Sequence, residues 1–204
     1  MKRSPPILHA VTNNSILDLP DFAQRTRSLA ISPHVALHLR SSQLTGRRLV
    51  ELARDMREIG TRGKVAILIN DRADVARVSG SDGVHLPADG LTVAAARSIL
   101  GIEAWVGRST HSAEEALRAA DEGADYVFLG PVWRTASHPE REPIGLQSIS
   151  AVRGIPVIAI GGITPERVPQ AIEAGAYGVA AISALWYATD PRAAAQNMLL
   201  SFEV

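Results

Sequence analysis

Residues able to do chemistry recur in this chain wherever a short apolar run stops. Thr12 and Asn13, His38 and Arg40, Asn70 and Asp71, His85, Ser109 and His111, Gly161 and Gly162, and Ser183 all stand at such ends. Arg40 carries a permanently charged fork that suits phosphate, or else a surface ion pair. In "IND" (69–71) a carboxylate lies beside an amide. Asp71 could hold Mg²⁺ through a diphosphate, since that ion takes one or two carboxylates and keeps phosphate and water oxygens. The same aspartate could instead cap the helix "RADVARVSG" or pair with Arg72. Histidine as a residue type titrates near neutral pH, so His38, His85, His111 and His138 are candidate acids or bases; a supporting, hydrogen-bonded role is the alternative for His85 and His111. The adjacent glycines in "PVIAIGGITPERV" (156–168) stand where a strand gives way to a helix. Either the turn needs backbone angles that glycine reaches easily, or an anion must come close to bare amides there.

Those residues need a scaffold that brings them to one place. Eight apolar runs read as strands: "ILHAVT" (7–12), "VALHLR" (35–40), "KVAILIN" (64–70), "GVHL" (83–86), "WVGRST" (105–110), "YVFLGPV" (126–132), "PVIAIGG" (156–162) and "GVAAIS" (178–183). Several are continuously apolar, as strands covered on both faces should be. Amphipathic stretches lie between them. Residues 46–59 align Leu49, Leu52, Ala53, Met56 and Ile59 on one stripe, and Ser112 and Glu115 have the spacing of a capping box. Asp190-Pro191 is a helix start with proline at the first helical position. Strand and helix alternate with no linker between them. The pattern predicts one α/β domain over residues 1–204, a (β/α)8 TIM barrel rather than an open doubly wound sheet. Function in such a barrel belongs at the C-terminal strand ends. The loops after the seventh and eighth strands, at Gly161, Gly162 and Ser183, are then the expected phosphate site. The loop "WRTASHPEREP" (133–143), with Thr135, Ser137 and His138, reads as a lid.

Composition narrows the partners. The chain has 204 residues, and its 21 Lys plus Arg equal its 21 Asp plus Glu, with no like-charge block. Nucleic acid and an anionic membrane are therefore not the expected partners. Cysteine is absent, which excludes disulfides, thiolate metal sites and a cysteine nucleophile. The basic start "MKRSPPILHAV" has too short an apolar run for a signal peptide, and no segment is long enough to span a bilayer; a cytoplasmic protein is the expectation. A homo-oligomer is compatible with the sequence.

Three segments, "ILINDRADVARVSGSDGVHL", "GRSTHSAEEALRAADEGADYVFLGPVWRT" and "IPVIAIGGITPERVPQAIEAGAYGVAAISAL", resemble the thiamine phosphate synthase/TenI superfamily, over about Val35 to Leu185. That resemblance implies a (β/α)8 barrel acting on small phosphorylated heterocycles. The synthase joins hydroxymethylpyrimidine diphosphate to thiazole phosphate with Mg²⁺ and loss of pyrophosphate; TenI-type relatives aromatise a thiazole carboxylate phosphate by proton transfer. Carried over by the resemblance, Arg40 and Asn70 match diphosphate contacts and Asp71 a magnesium ligand. Ser109 falls on the pyrimidine or diphosphate side, Thr135 and Ser137 match a hydroxyl pair, and Gly162 and Ser183 match the thiazole phosphate cradle. Departures accompany these matches. "QLREK" becomes "HLRSS", so Gln is His38 and the diphosphate lysine is Ser42. "HLGQED" becomes "HLPADG", so the second magnesium aspartate falls on Gly90, next to Asp89. The loop lysine is His138, and the histidine of the TenI-type "GHVF" is Pro131. With these charges gone, the resemblance favours a TenI-like proton-transfer enzyme using a rim histidine. The alternative is a synthase with Asp71 as main Mg²⁺ ligand, and a further alternative is a non-catalytic carrier or sensor of a phosphorylated ligand.

Overall fold

Each short Val- and Ile-rich run forms a strand buried on both faces, because helices cover its outer side and seven neighbours close around its inner side. The computed structural model describes residues 4–135 and 139–202. Among them eight parallel strands pair in chain order: β1 (Leu8–Val11), β2 (Val35–Leu39), β3 (Ala66–Asn70), β4 (Gly83–Leu86), β5 (Trp105–Thr110), β6 (Tyr126–Leu129), β7 (Val157–Ile160) and β8 (Gly178–Ala181). β8 pairs with β1 through Leu8↔Val179, which closes the barrel predicted above. At β1, β2, β7 and β8 the ladder stops short of the run's polar end, whereas β3 and β5 carry theirs within it. Thr12, Arg40, Asp71, Gly161 and Ser183 thus lie just beyond the hydrogen-bonded strands, on one rim.

The helices are α1 (Asn14–Leu17), α2 (Phe22–Leu29), α3 (Gly46–Gly63), α4 (Ala73–Ser79), α5 (Val93–Leu100), α6 (Ala113–Asp121), α7 (Gln147–Ser150), α8 (Val168–Glu173), α9 (Ser183–Trp186) and α10 (Pro191–Leu200). α3 buries the Leu49, Ala53 and Met56 stripe. Ser112 caps α6 by accepting from the Glu115 amide, but the Glu115 carboxylate returns to the amide of His111, one residue before the cap. Asp190 caps α10 by accepting from the Ala193 amide, with Pro191 in the first turn. These contacts fix where each helix starts, and so how much loop remains on the rim.

The interior is less apolar than the sequence suggests. Val11, Leu68, Phe128 and Ile158 share it with His9, His38, His85 and Tyr126. His9, His38 and Tyr126 are wholly buried and His85 is 1% exposed. His9 Nε2 lies 2.8 Å from the Pro6 carbonyl, which can only accept, so Nε2 carries the proton. Neutral His9 then accepts at Nδ1, from His38 Nε2 at 2.8 Å. That leaves His38 Nδ1 as a buried acceptor with no partner among the described residues. The rings of His38 and His85 pack against Phe128 at 5.1 and 3.9 Å between centroids.

Burial pushes His9 down to about 4, against the weaker opposing effect of its bond to Pro6, and pushes His38 and His85 well below the usual histidine range. The folded chain therefore binds fewer protons than the unfolded chain once pH falls below 6.5. The stability these neutral rings confer is whole above that pH and drains away as pH falls from 6.5 towards 4. For His9 alone the loss is about 3 kcal/mol at 1.36 kcal/mol per unit. Urea unfolding at pH 7.5, 6.0 and 5.0 should show a steady fall in midpoint before carboxylates begin to titrate. A flat profile down to pH 5 would mean that the three rings are not sealed from protons.

Candidate active site

The chain turns sharply at the end of β3, and the turn leaves an acid exposed. Asp71 has φ of +65°, which an aspartate tolerates but does not favour. Its amide donates to the His85 carbonyl at 2.9 Å, and its own carbonyl accepts from Ala73 at 3.2 Å. Both simple uses of its side chain are absent. α4 is preceded by Arg72 at the cap position, with no side-chain cap bond. Arg72 instead grips Asp74 with two bonds of 2.8 and 2.5 Å, which holds the Asp74 carboxyl below its usual range. The Asp71 carboxylate is thus left with no hydrogen-bond or ion-pair partner among the described residues. The loop after β4 comes up beside it: a Cβ on Gly90 would stand 3.2 Å from Asp71 Oδ1. Arg108 holds that loop in place, donating to Leu91 O at 2.5 Å and to Ala88 O at 2.8 Å. Just beyond β2, Arg40 is exposed, its main chain is tied to Thr12 Oγ1 at 2.8 Å, and its guanidinium has no ion-pair partner among the described residues. Asn70 ends β3 and is half-buried.

The histidines divide by depth. His38 and His85 lie inside the barrel beneath the rim, because both sit at inward-facing positions within their strands rather than past the end. His85 Nε2 meets Ser109 Oγ at 2.9 Å and its Nδ1 meets Tyr126 Oη at 3.2 Å. Ser109, half-buried, is the member of that line nearest the rim. His111 lies beyond β5. Its Nδ1–H donates to the Gly130 carbonyl at 2.8 Å, so Nε2 accepts from Arg141 at 2.7 Å. Both ring nitrogens therefore serve to fasten the loop that follows β6. His138 and Ser137 lie outside the described residues; Thr135 is half-buried on the near side of that gap.

The corner after β7 and β8 has two sides. Gly161 and Gly162 have φ of +94° and +67°, so the turn does require glycine. A Cβ at Gly162 would stand 2.8 Å from both Arg134 O and Trp133 Cβ, so the close approach on that side is made by the loop after β6. Arg167 braces it, donating to Gly162 O at 2.6 Å and lying 5.4 Å over the Trp133 ring. The amides of Gly161, Gly162, Ser183 and Ala184 donate to no described residue, and Ser183 is exposed. The loop after β6 therefore crowds the Cβ side of Gly162, and these four amides remain without an acceptor among the described residues.

The family model described as thiamine monophosphate synthase matches residues 8–185. The chain belongs to that family. It is similar to the thiamine-phosphate synthase of Haloquadratum walsbyi, 42% identical over 168 residues, which span 79% of this chain and 75% of the relative. It is also similar to that of Methanoculleus marisnigri, 40% identical over 195 residues, 94% and 92% of the two chains. Among solved structures, the thiamine phosphate pyrophosphorylase from Pyrococcus furiosus superposes with a TM-score of 0.83 at 27% identity, covering 97% of this chain and 95% of its own.

For a thiamine monophosphate synthase family member, the departures now have places. Ser42, where the resemblance expects a lysine, accepts at Oγ from Asn14 Nδ2 at 3.0 Å and so joins the loop after β2 to the start of α1. Gly90, where the resemblance expects a second acid, lies beside Asp71 Oδ1, with Pro87 closer still. His9, Tyr126 and Arg108 were not singled out in the sequence. Alternation along β1 and β6 would have marked the first two as inward-facing, had continuous apolarity not hidden the period. The glycine corner yields a stability test. Gly162→Ala adds a strained φ and a backbone overlap, together about 2–4 kcal/mol. A melting temperature lower by roughly 5–15 °C is expected from that loss. An unchanged melting temperature would show that the loop after β6 does not press on Gly162.

Proposed function

We propose that this chain is a thiamine phosphate synthase, joining hydroxymethylpyrimidine diphosphate to thiazole phosphate and releasing pyrophosphate. The observation that carries the proposal is Asp71, a carboxylate in a disfavoured backbone conformation at a strand end, exposed on the rim and with no hydrogen bond or ion pair to its side chain among the described residues. Strain of about 1 kcal/mol or more is retained where the surroundings enforce it, and such positions cluster at functional sites. The names of the relatives agree with this reading. Among the described residues no cluster of three acidic or histidine side chains could cage a metal alone. One carboxylate does fit Mg²⁺, which is held chiefly by substrate phosphate and water. Asp71 would hold it, and the bound ion would offset the charge that gathers on the departing diphosphate. Arg40, Asn70 and Ser109 would contact the same diphosphate as donors. The free amides at Gly161, Gly162, Ser183 and Ala184 would receive the thiazole phosphate, with Thr135 at the loop beside it.

Bond making and breaking then need little from side chains. The thiazole nitrogen bonds to the pyrimidine's methylene carbon as the carbon–oxygen bond to pyrophosphate breaks, and no proton has to be carried. This matters for choosing between the readings. A tautomerase requires a proton carrier at the rim. Yet His38 and His85 are enclosed in the barrel, and His111 is occupied at both nitrogens. Of the candidate carriers within the described residues none is left open at the rim, which supports the synthase over the proton-transfer enzyme; His138 lies outside them.

Purified protein with both phosphorylated precursors and Mg²⁺ should form thiamine phosphate, read by conversion to fluorescent thiochrome. Asp71→Asn should slow product formation roughly 100-fold or more, the scale on which single charge-stabilising groups act. Metal-independent aromatisation of the thiazole carboxylate phosphate, with no thiamine phosphate formed, would overturn the proposal in favour of proton transfer. Thermal stabilisation by thiazole phosphate with neither reaction would make the chain a carrier.

A further inference from the structure

Tyr126, His85 and Ser109 form a line from the barrel interior to the rim, and the chemistry of each atom sets the direction of its hydrogen bonds. Tyr126 has no exposed surface, and its ring fills the space that Gly107 leaves: a Cβ there would stand 2.2 Å from Tyr126 Cζ. Its hydroxyl has one described partner, His85 Nδ1 at 3.2 Å. If the hydroxyl merely accepted, its own proton would be buried without an acceptor, a costly arrangement. Tyr126 therefore donates, and Nδ1 accepts. An imidazole that accepts at Nδ1 has no proton there and carries its one proton on Nε2. Nε2–H then donates to Ser109 Oγ at 2.9 Å. The Ser109 hydroxyl proton is left over, and no second described residue takes it.

We propose that Tyr126 and His85 are positioning residues that turn Ser109 into a hydrogen-bond donor facing the rim, where it meets an acceptor oxygen of the substrate's diphosphate. The opposite sense would spend the Ser109 proton on the imidazole and present a lone pair to an anion. The identity of the ligand rests on the synthase reading; the direction of the relay does not. Tyr126→Phe preserves the ring that packs against His85 and Phe128 while removing the donor. His85 is then free to shift its proton to Nδ1 and accept from Ser109.

Two measurements test this. Nitrogen-15 NMR of the histidine rings should show His85 protonated at Nε2 in the wild-type protein and shifted towards Nδ1–H in Tyr126→Phe. Titration with inorganic pyrophosphate and Mg²⁺ should show affinity about tenfold weaker in Tyr126→Phe, and weaker by a similar factor in Ser109→Ala. The double variant should bind no worse than Ser109→Ala alone, because Tyr126 acts only through that hydroxyl. A tyrosine that merely packs would give losses that multiply and an unmoved tautomer. Wild-type His85 protonated at Nδ1 would overturn the relay even if Tyr126→Phe does not fold. Failure of the wild-type protein to bind pyrophosphate would overturn the assigned ligand. Normal thiamine phosphate production with a reversed tautomer would sink the relay and leave the synthase standing, whereas the predicted tautomer and pyrophosphate losses without product would do the reverse.

Discussion

Closing eight parallel strands on themselves gives each inward side chain a fixed height along the barrel axis, and that height decides whether it meets protein or solvent. At the end of β2, a single residue separates His38, wholly buried, from Arg40, exposed on the rim. β3 ends at half-buried Asn70, and the next residue, Asp71, already faces solvent. The chemistry available to this chain follows from that short vertical distance.

Depth also sets protonation. Three histidines and a tyrosine share an interior that solvent does not reach, so the imidazoles stay neutral and the tyrosine hydroxyl is held well above its usual range, mainly by burial. Neutral rings have one N–H and one lone pair each, and hydrogen bonds to fixed partners such as the Pro6 carbonyl assign them. The interior is thus a source of orientation for the rim rather than a source of protons. On the rim the pattern is reversed. Charges there are either tied to main chain, as Arg108 is, or left facing solvent, as Arg40 and Asp71 are.

Much of this was legible in the sequence. All eight strands were, because continuous Val- and Ile-rich runs are what doubly covered strands require, and the caps at Ser112 and Asp190 were readable from side-chain chemistry. The rim was legible as a set of polar residues at run ends. Height was not. His38 and His85 read as rim residues because their runs end close by, while the hydrogen-bonded ladder continues past them. The side-chain use of Arg72 was also hidden, since Asp71 and Asp74 compete for it and only geometry shows that Asp74 wins. At Gly161-Gly162 both the turn and close approach were anticipated, but the neighbour on the Cβ side is the loop after β6, which no local pattern announces.

Synthase chemistry in this chain requires the Asp71 carboxylate to be reserved for a cation shared with a diphosphate. Electron paramagnetic resonance of Mn²⁺, standing in for Mg²⁺, reads this without any turnover. In the presence of inorganic pyrophosphate the wild-type protein should draw the ion into a protein-bound spectrum, and Asp71→Asn, equally folded, should leave it as the free Mn²⁺–pyrophosphate complex. Equal binding by the two proteins would contradict the claim.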